Sequence, residues 1–524
     1  MKKLIAAIAA IALTSGAFAQ SLEEGIKMYN YERYSTARTQ LEAQAGSNAL
    51  ANYYVGLSQL GLDDVEGAKA TFSKYPEDPA NRSGMARVAF VQGNAAEGNK
   101  IAGEVANMAK KKVWEPLLYA ADAITYTKGG DYQQAVNLYK KASETAPDDA
   151  RVLIGMGDAF RKMSGGGGQS MSSYEKAVEK NPGNSLGYSK IGSLWYSARN
   201  YELALESFNK AKDADPTNPL PYGELADAYY RSGNLKKAKE NIEKFRELSD
   251  KSQDVERRYL DILYLAGYCE EGLRQAEELM KGSNVGAGVY GEYAYLHLRC
   301  GDSVKALDNV RIYFSKQKPE KIGAADYSKY GQILMKNKSL DSAEIYFAKS
   351  MEMDTTADRV TNMREIADAF RAAKEFEKSA LWYGKLVRSQ EKARVTDYFW
   401  WGYYNYANGY NLDTAVMAFR LQEENYPDEV TGPYWRGRTA AAIDSNAKTG
   451  LAAPHYEKWL SYMQPDWYSK KKNDLSNAYQ YLITYYYNSN DKANLKKYLD
   501  EMEKLDPENS FVKQMKELEK SMKS

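Results

Sequence analysis

Catalysis needs nucleophiles, bases or metal ligands brought together, and this 524-residue chain holds few of the usual ones. There are two histidines, His297 and His455, and two cysteines, Cys269 and Cys300. A histidine is the natural base near neutral pH. Yet His297 falls where Trp195 and Tyr229 fall in their own segments, which is a packing position. His455 follows Pro454 and precedes Tyr456 and Trp459, the setting of a helix start. No His-Glu-x-x-His and no Cys-x-x-Cys occurs, so a zinc site would lack its common ligands. The glycine run 165–168 could suggest a phosphate cradle. It follows a helical pattern rather than a strand, and no Lys-Ser or Lys-Thr comes after it, so a stretched turn is expected. The acidic pairs Asp63-Asp64 and Glu270-Glu271 and the lysine runs 110–112 and 470–472 have the character of solvated surface. No enzyme, metal or cofactor is expected. The cysteines stand 31 residues apart, and both a disulfide and a pair of buried thiols stay open.

Aromatic residues are a different matter. The chain has 44 Tyr, 8 Trp and 13 Phe. Many tyrosines fall at core positions of the pattern described next and need no function. The densest segment, 398–406, contains Phe399, Trp400, Trp401, Tyr403 and Tyr404. A helix this aromatic has more large side chains than one core needs, since its side chains point all round. Trp400 and Tyr404, one turn apart, are a candidate recognition patch, with thick internal packing as the alternative.

The elements that would carry these residues show in a repeated spacing. Tyr188, Ile191, Gly192, Trp195, Ala204, Phe208 and Ala211 recur 34 positions later as Tyr222, Leu225, Ala226, Tyr229, Ala238, Ile242 and Phe245. A fixed period of large, small and aromatic residues marks a stacked helical repeat. Arg199-Asn200 and Gly233-Asn234 are turn signals within units. Asp215-Pro216 ends one, because the residue before proline is pushed out of the α region. About 13 units are expected. Residues 20–115 hold degenerate hairpins, 116–248 a well-formed array, 249–287 a degenerate hairpin, 288–508 a divergent array, and 509–524 a capping helix.

The pattern resembles the tetratricopeptide repeat family. That resemblance implies an all-α, right-handed solenoid of stacked helical hairpins that binds proteins or peptides and performs no chemistry. It further implies a concave groove lined by the first helix of each hairpin. The groove-facing positions here are Arg161, Tyr196, Tyr230, Tyr295, Arg364, Arg371, Trp400 and Tyr404. Tyr, Trp and Arg are the types enriched at binding hot spots. The Lys and Asn of chaperone-binding members are missing: the corresponding positions hold Ile154/Asp158, Ser189/Ser193 and Gly223/Asp227.

The first 19 residues have the form of a secretory leader. Lys2 and Lys3 precede an apolar stretch from Leu4 to Leu13, and Ala17-Phe18-Ala19 is a cleavage signal. The expected mature chain starts at Gln20, carries no lipid anchor and no membrane span, and resides in a periplasm, or else is secreted. Lys plus Arg (71) nearly balances Asp plus Glu (70), which argues against nucleic acid as a partner. The expected partners are proteins of a cell-envelope machine for transport, secretion or assembly, TonB-type transport among them. A glycan-binding protein using exposed aromatic platforms is the alternative.

Overall fold

The computed structural model describes residues 21–522, so the expected leader lies outside the described residues. Among them the chain is helical throughout, and the one β feature is an isolated bridge between Lys110 and Val113. It forms two units, the first ending at Lys318 and the second starting at Pro319.

Each unit stacks helical hairpins, and the pair Ser185–Ser197 and Tyr201–Ala214 shows how sequence makes one. Asn184 caps the first helix by accepting from the Gly187 N–H, and Asn200 caps the second by accepting from Leu203. Between them Arg199 takes a left-handed backbone, φ 61°, which reverses the chain. The following hairpin uses Gly233 at φ 81° there, where glycine has no Cβ to clash. The two helices close on each other through Gly192. A Cβ at that position would lie 2.4 Å from the Phe208 ring, so its absence lets Phe208 pack onto the first helix. Gly331 and Phe347 repeat this contact in the second unit.

The first unit holds nine hairpins among its described residues, from 21–30 and Tyr34–Ala45 to Ala287–Arg299 and Ser303–Lys316. First helices of successive hairpins touch directly. Ala49–Gly61 meets Pro79–Val91, which meets Glu115–Thr125, which meets Ala150–Arg161; in a second run Ser185–Ser197 meets Leu220–Arg231, which meets Gln253–Ala266, which meets Ala287–Arg299. They make one face. The unit also curls back on itself. Tyr31 donates to Asp215 and Lys27 pairs with Asp215 at 2.9 Å. The Ser35 and Thr36 N–H groups and the Thr36 hydroxyl all donate to Asp250. The first hairpin is thereby fastened to the ends of the sixth and seventh. A disulfide joins Cys269 to Cys300, with Cα atoms 5.7 Å apart, and ties the eighth hairpin to the ninth.

Among its described residues the second unit holds five hairpins, from Ala324–Lys336 and Leu340–Met353 to Lys472–Asn488 and Lys492–Leu505, followed by Ser510–Ser521. Its lengthened connection after Thr431–Ile443 is organised by one residue. The Asp444 carboxylate accepts from the N–H groups of Lys448, Thr449 and Gly450 and from the Tyr481 hydroxyl.

Candidate functional site

In the first unit, Arg161, Tyr196 and Tyr230 sit on the first helices of three consecutive hairpins. They form a connected stripe. The Arg161 guanidinium donates to the Ser197 hydroxyl at 3.2 Å, and Arg231 Nε donates to the Tyr196 hydroxyl at 3.4 Å. Tyr196 packs edge-on against Tyr201, with ring centroids 5.5 Å apart. The Arg231 guanidinium lies 5.9 Å from the centre of the Tyr230 ring. Arg161, Ser197 and Arg231 are exposed, and Tyr196 and Tyr230 are half-buried. Such a stripe offers donors on an aromatic floor, which suits the backbone carbonyls and acidic side chains of another chain.

The same first helices carry a row of partly buried acids. Asp122 accepts from Tyr139 at 2.6 Å, and burial pushes its carboxyl up to about 6. Asp158 accepts from Tyr126 and Tyr174 and pairs with Lys190 at 3.0 Å. Glu224 accepts from Ser193 at 2.8 Å, and burial pushes it up to about 7. Asp227 pairs with Arg258 at 2.8 Å. Asp158, Glu224 and Asp227 link successive first helices by hydrogen bonds and ion pairs as well as by packing, and Asp122 joins the two helices of its own hairpin. The period gave no notice of them. Their only trace in the sequence is a single polar residue inside an apolar stretch, such as Asp122 in the segment 117–124.

The second unit brings Trp400, Tyr404 and Arg371 together. Trp400 stacks on Tyr404 at 5.3 Å, and Tyr404 stacks in turn on Phe376 at 4.8 Å. The Arg371 guanidinium lies 4.9 Å from the Trp400 ring and pairs with Asp368 at 2.6 Å. Trp400 is half-buried, but Tyr404 keeps only 6% of its surface.

Three expected groove residues therefore need correction. Tyr404 is enclosed between Trp400 and Phe376, so it supports the patch from beneath. Arg364 makes a two-pronged pair with the buried Asp397, at 2.9 and 2.7 Å, and joins neighbouring hairpins. Tyr295 is buried against Tyr264 and Tyr313 and belongs to the core. A helix this aromatic has several candidate outward faces, and the tilt of the next hairpin decides which is covered.

Residues with chemical potential elsewhere are spent on structure. Residues 183–187 reproduce the Gly-x-Ser-x-Gly spacing of a hydrolase nucleophile. The buried Ser185 hydroxyl, however, donates to the Ala211 carbonyl and accepts from Asn218, and the motif opens a helix that follows another helix. In the glycine run, Gly165 takes φ 73°, and a Cβ on Gly166 would collide with the Phe160 carbonyl, as a tight turn requires. His297 is buried beside Tyr293, and burial lowers its pKa, favouring the neutral ring. His455 is the third residue of Ala453–Ser461. Among the described residues no cluster of three His, Cys, Asp or Glu side chains is placed to hold a metal, and no helix is long and apolar enough to cross a membrane.

Residues 169–219 match the family model described as Tetratricopeptide repeat. No curated protein sequence matches the chain. Among solved structures, the chain is similar to the C-terminal part of a repeat protein from Cytophaga hutchinsonii: 26% identity, TM-score 0.35, covering 49% of this chain and 98% of that one. It is also similar to a tetratricopeptide repeat protein from Parabacteroides merdae, at 20% identity and TM-score 0.40, covering 47% and 94%. A human IFIT1 dimer with m7Gppp-AAAA matches at 14% identity and TM-score 0.42, covering 80% and 90%.

Proposed function

We propose that this chain of tetratricopeptide repeats is a non-enzymatic scaffold that binds a protein partner of the cell envelope along the first-helix face of its first unit. The observation that carries the reading is the stripe from Arg161 through Ser197 and Tyr196 to Arg231. It runs without a break across three hairpins and leaves arginine donors and tyrosine rings open. Two features support an exported location. The first 19 residues have the form of a secretory leader, and the Cys269–Cys300 disulfide belongs to an oxidising compartment. The half-buried Trp400 with Arg371 is a second contact patch, smaller because Tyr404 is covered. A transport, secretion or assembly machine of the envelope, TonB-type transport among them, is the proposed setting.

The test is co-purification from envelope fractions with quantitative mass spectrometry. A triple variant, Arg161→Ala, Tyr196→Ala and Arg231→Ala, is compared with the unaltered chain. Loss of one specific envelope protein from the variant, with circular dichroism unchanged, is the expected result. Identical recovery of every partner would rule out the stripe.

A further inference from the structure

The join that closes the first unit on itself is polar. Lys27 and Tyr31 reach Asp215, and Arg33, Ser35 and Thr36 reach Asp250. The two acceptors stand just past the second helices of the sixth and seventh hairpins, Tyr201–Ala214 and Leu235–Leu248. Among the described residues no apolar core spans this join. The core of Met28, Tyr31 and Ala37 takes in Tyr29, and that of Leu41 and Ala45 continues into Ala51 and Val55 of the second hairpin. The cores around Phe208 and around Ile242 and Phe245 hold no residue of the first hairpin.

The first hairpin is therefore held in two ways of unequal strength. Its joint with the second hairpin buries aliphatic side chains and sets Tyr29 edge-on against Tyr54 at 5.2 Å, and parting it would expose that apolar surface. Its join with the sixth and seventh rests on groups that water and salt can replace. The Lys27 side chain keeps 36% of its surface and that of Asp215 21%. Neighbour contacts carry the stability of a solenoid, so losing the polar join leaves each hairpin folded. The two hairpins so fastened are the ones that carry Tyr196 and Arg231.

We propose that residues 27–36 are a releasable clasp. The first unit exchanges between a closed form, with Asp215 and Asp250 held, and an open form in which the sixth and seventh hairpins have moved off the first. The clasp thereby sets how far the first-helix face stands open. Its two halves release together, because Asp215 and Asp250 end consecutive hairpins, and the movement is shared as small rotations at the intervening joints. The clasp goes beyond the binding reading of the Arg161–Arg231 stripe and does not depend on it.

Ser35 and Thr36 lie in the first turn of Tyr34–Ala45, where N–H groups have no partner within the helix, so their exchange with solvent reads the clasp directly. Lys27→Met with Tyr31→Phe removes the donors to Asp215 and leaves Asp250 with its own. In the full chain this pair should speed amide exchange at Ser35 and Thr36 at least about tenfold, with Ala49–Gly61 unchanged. Spin labels at Ala43→Cys and Glu240→Cys, both exposed and on the second helices of the first and seventh hairpins, report the opening as a distance. Electron–electron resonance should show a second, longer distance when the Lys27 and Tyr31 changes are present. The same longer distance should appear without those changes when salt is raised from about 0.05 M to about 1 M, an arm that serves if the altered clasp does not fold. A single unchanged distance at both salt concentrations, or unaltered exchange at Ser35 and Thr36 in the variant, would overturn the proposal.

Discussion

Burial of Glu224 lifts its carboxyl from the ordinary range near 4.5 to about 7, against the opposing pull of Ser193, Arg258 and Lys190. The folded state therefore binds this proton more tightly than the unfolded chain does. The stabilising contribution is complete below pH 4.5 and is lost as pH rises through about 7. Glu224→Gln keeps the shape and removes the charge. It should raise the Tm at pH 8, by roughly 1–3 kcal/mol of stability, and change little at pH 4. Thermal unfolding at the two pH values checks this, and an equal shift at both would show that the carboxyl is not the cause. Asp444 has the opposite sign. The hydrogen bonds from Tyr481 and from Thr449 and its neighbours hold it at about 2, below its ordinary 3.8. Its contribution is present above pH 3.8 and lost as pH falls through about 2. Asp444→Ala removes the acceptor for those donors and should cost about 2–4 kcal/mol in a denaturant titration at pH 7. Residues such as Asp444 escape a sequence reading because their partners are backbone N–H groups, which any residue type supplies.

At the scale of the element, hairpins were plain in the sequence where a small residue on one helix faces an aromatic ring on the other. Gly192 with Phe208 and Gly331 with Phe347 are the structural form of the recurring pattern. Hairpins also form across residues 21–106, where the pattern is weak. Burial of Ala37, Leu41, Ala68 and Phe72 supplies there what the consensus residues supply later. The disulfide acts at this scale too. It joins Cys269, which opens the second helix of the eighth hairpin, to Cys300, just after the first helix of the ninth. A solenoid is stabilised by neighbour contacts, so the effect of losing this link should stay local. The double change Cys269→Ser and Cys300→Ser should cost about 2–4 kcal/mol and speed amide exchange in Gln253–Ala266 and Ala287–Arg299 before other segments. Uniform exchange throughout the first unit, or none faster than before, would contradict that expectation.

At the scale of the whole molecule, a repeat pattern reports which units are neighbours and is silent on contacts further along the stack. Tyr31 with Asp215 and Thr36 with Asp250 join residues 184 and 214 positions apart, and nothing in the period foretells them. The same limit hid the cluster of Tyr29, Tyr53, Tyr54 and Tyr119, which come from three different hairpins. It also misplaced Tyr295, Arg364 and Tyr404, which the family resemblance puts on the groove side and packing draws inward. The stripe through Arg161, Tyr196 and Arg231 is a property of consecutive units; the family resemblance named Arg161, Tyr196 and Tyr230, and the links through Ser197 and Arg231 came only with the structure.

That stripe is where the account is most exposed to test. A photo-crosslinking amino acid placed at Tyr196 in cells, with a matched placement at the exposed Glu206 on the second helix of the same hairpin, compares the two faces directly. The account predicts a discrete adduct with one envelope protein from position 196, identified by mass spectrometry, and none from position 206. Equal adducts from both positions, or an adduct from position 206 alone, would contradict it.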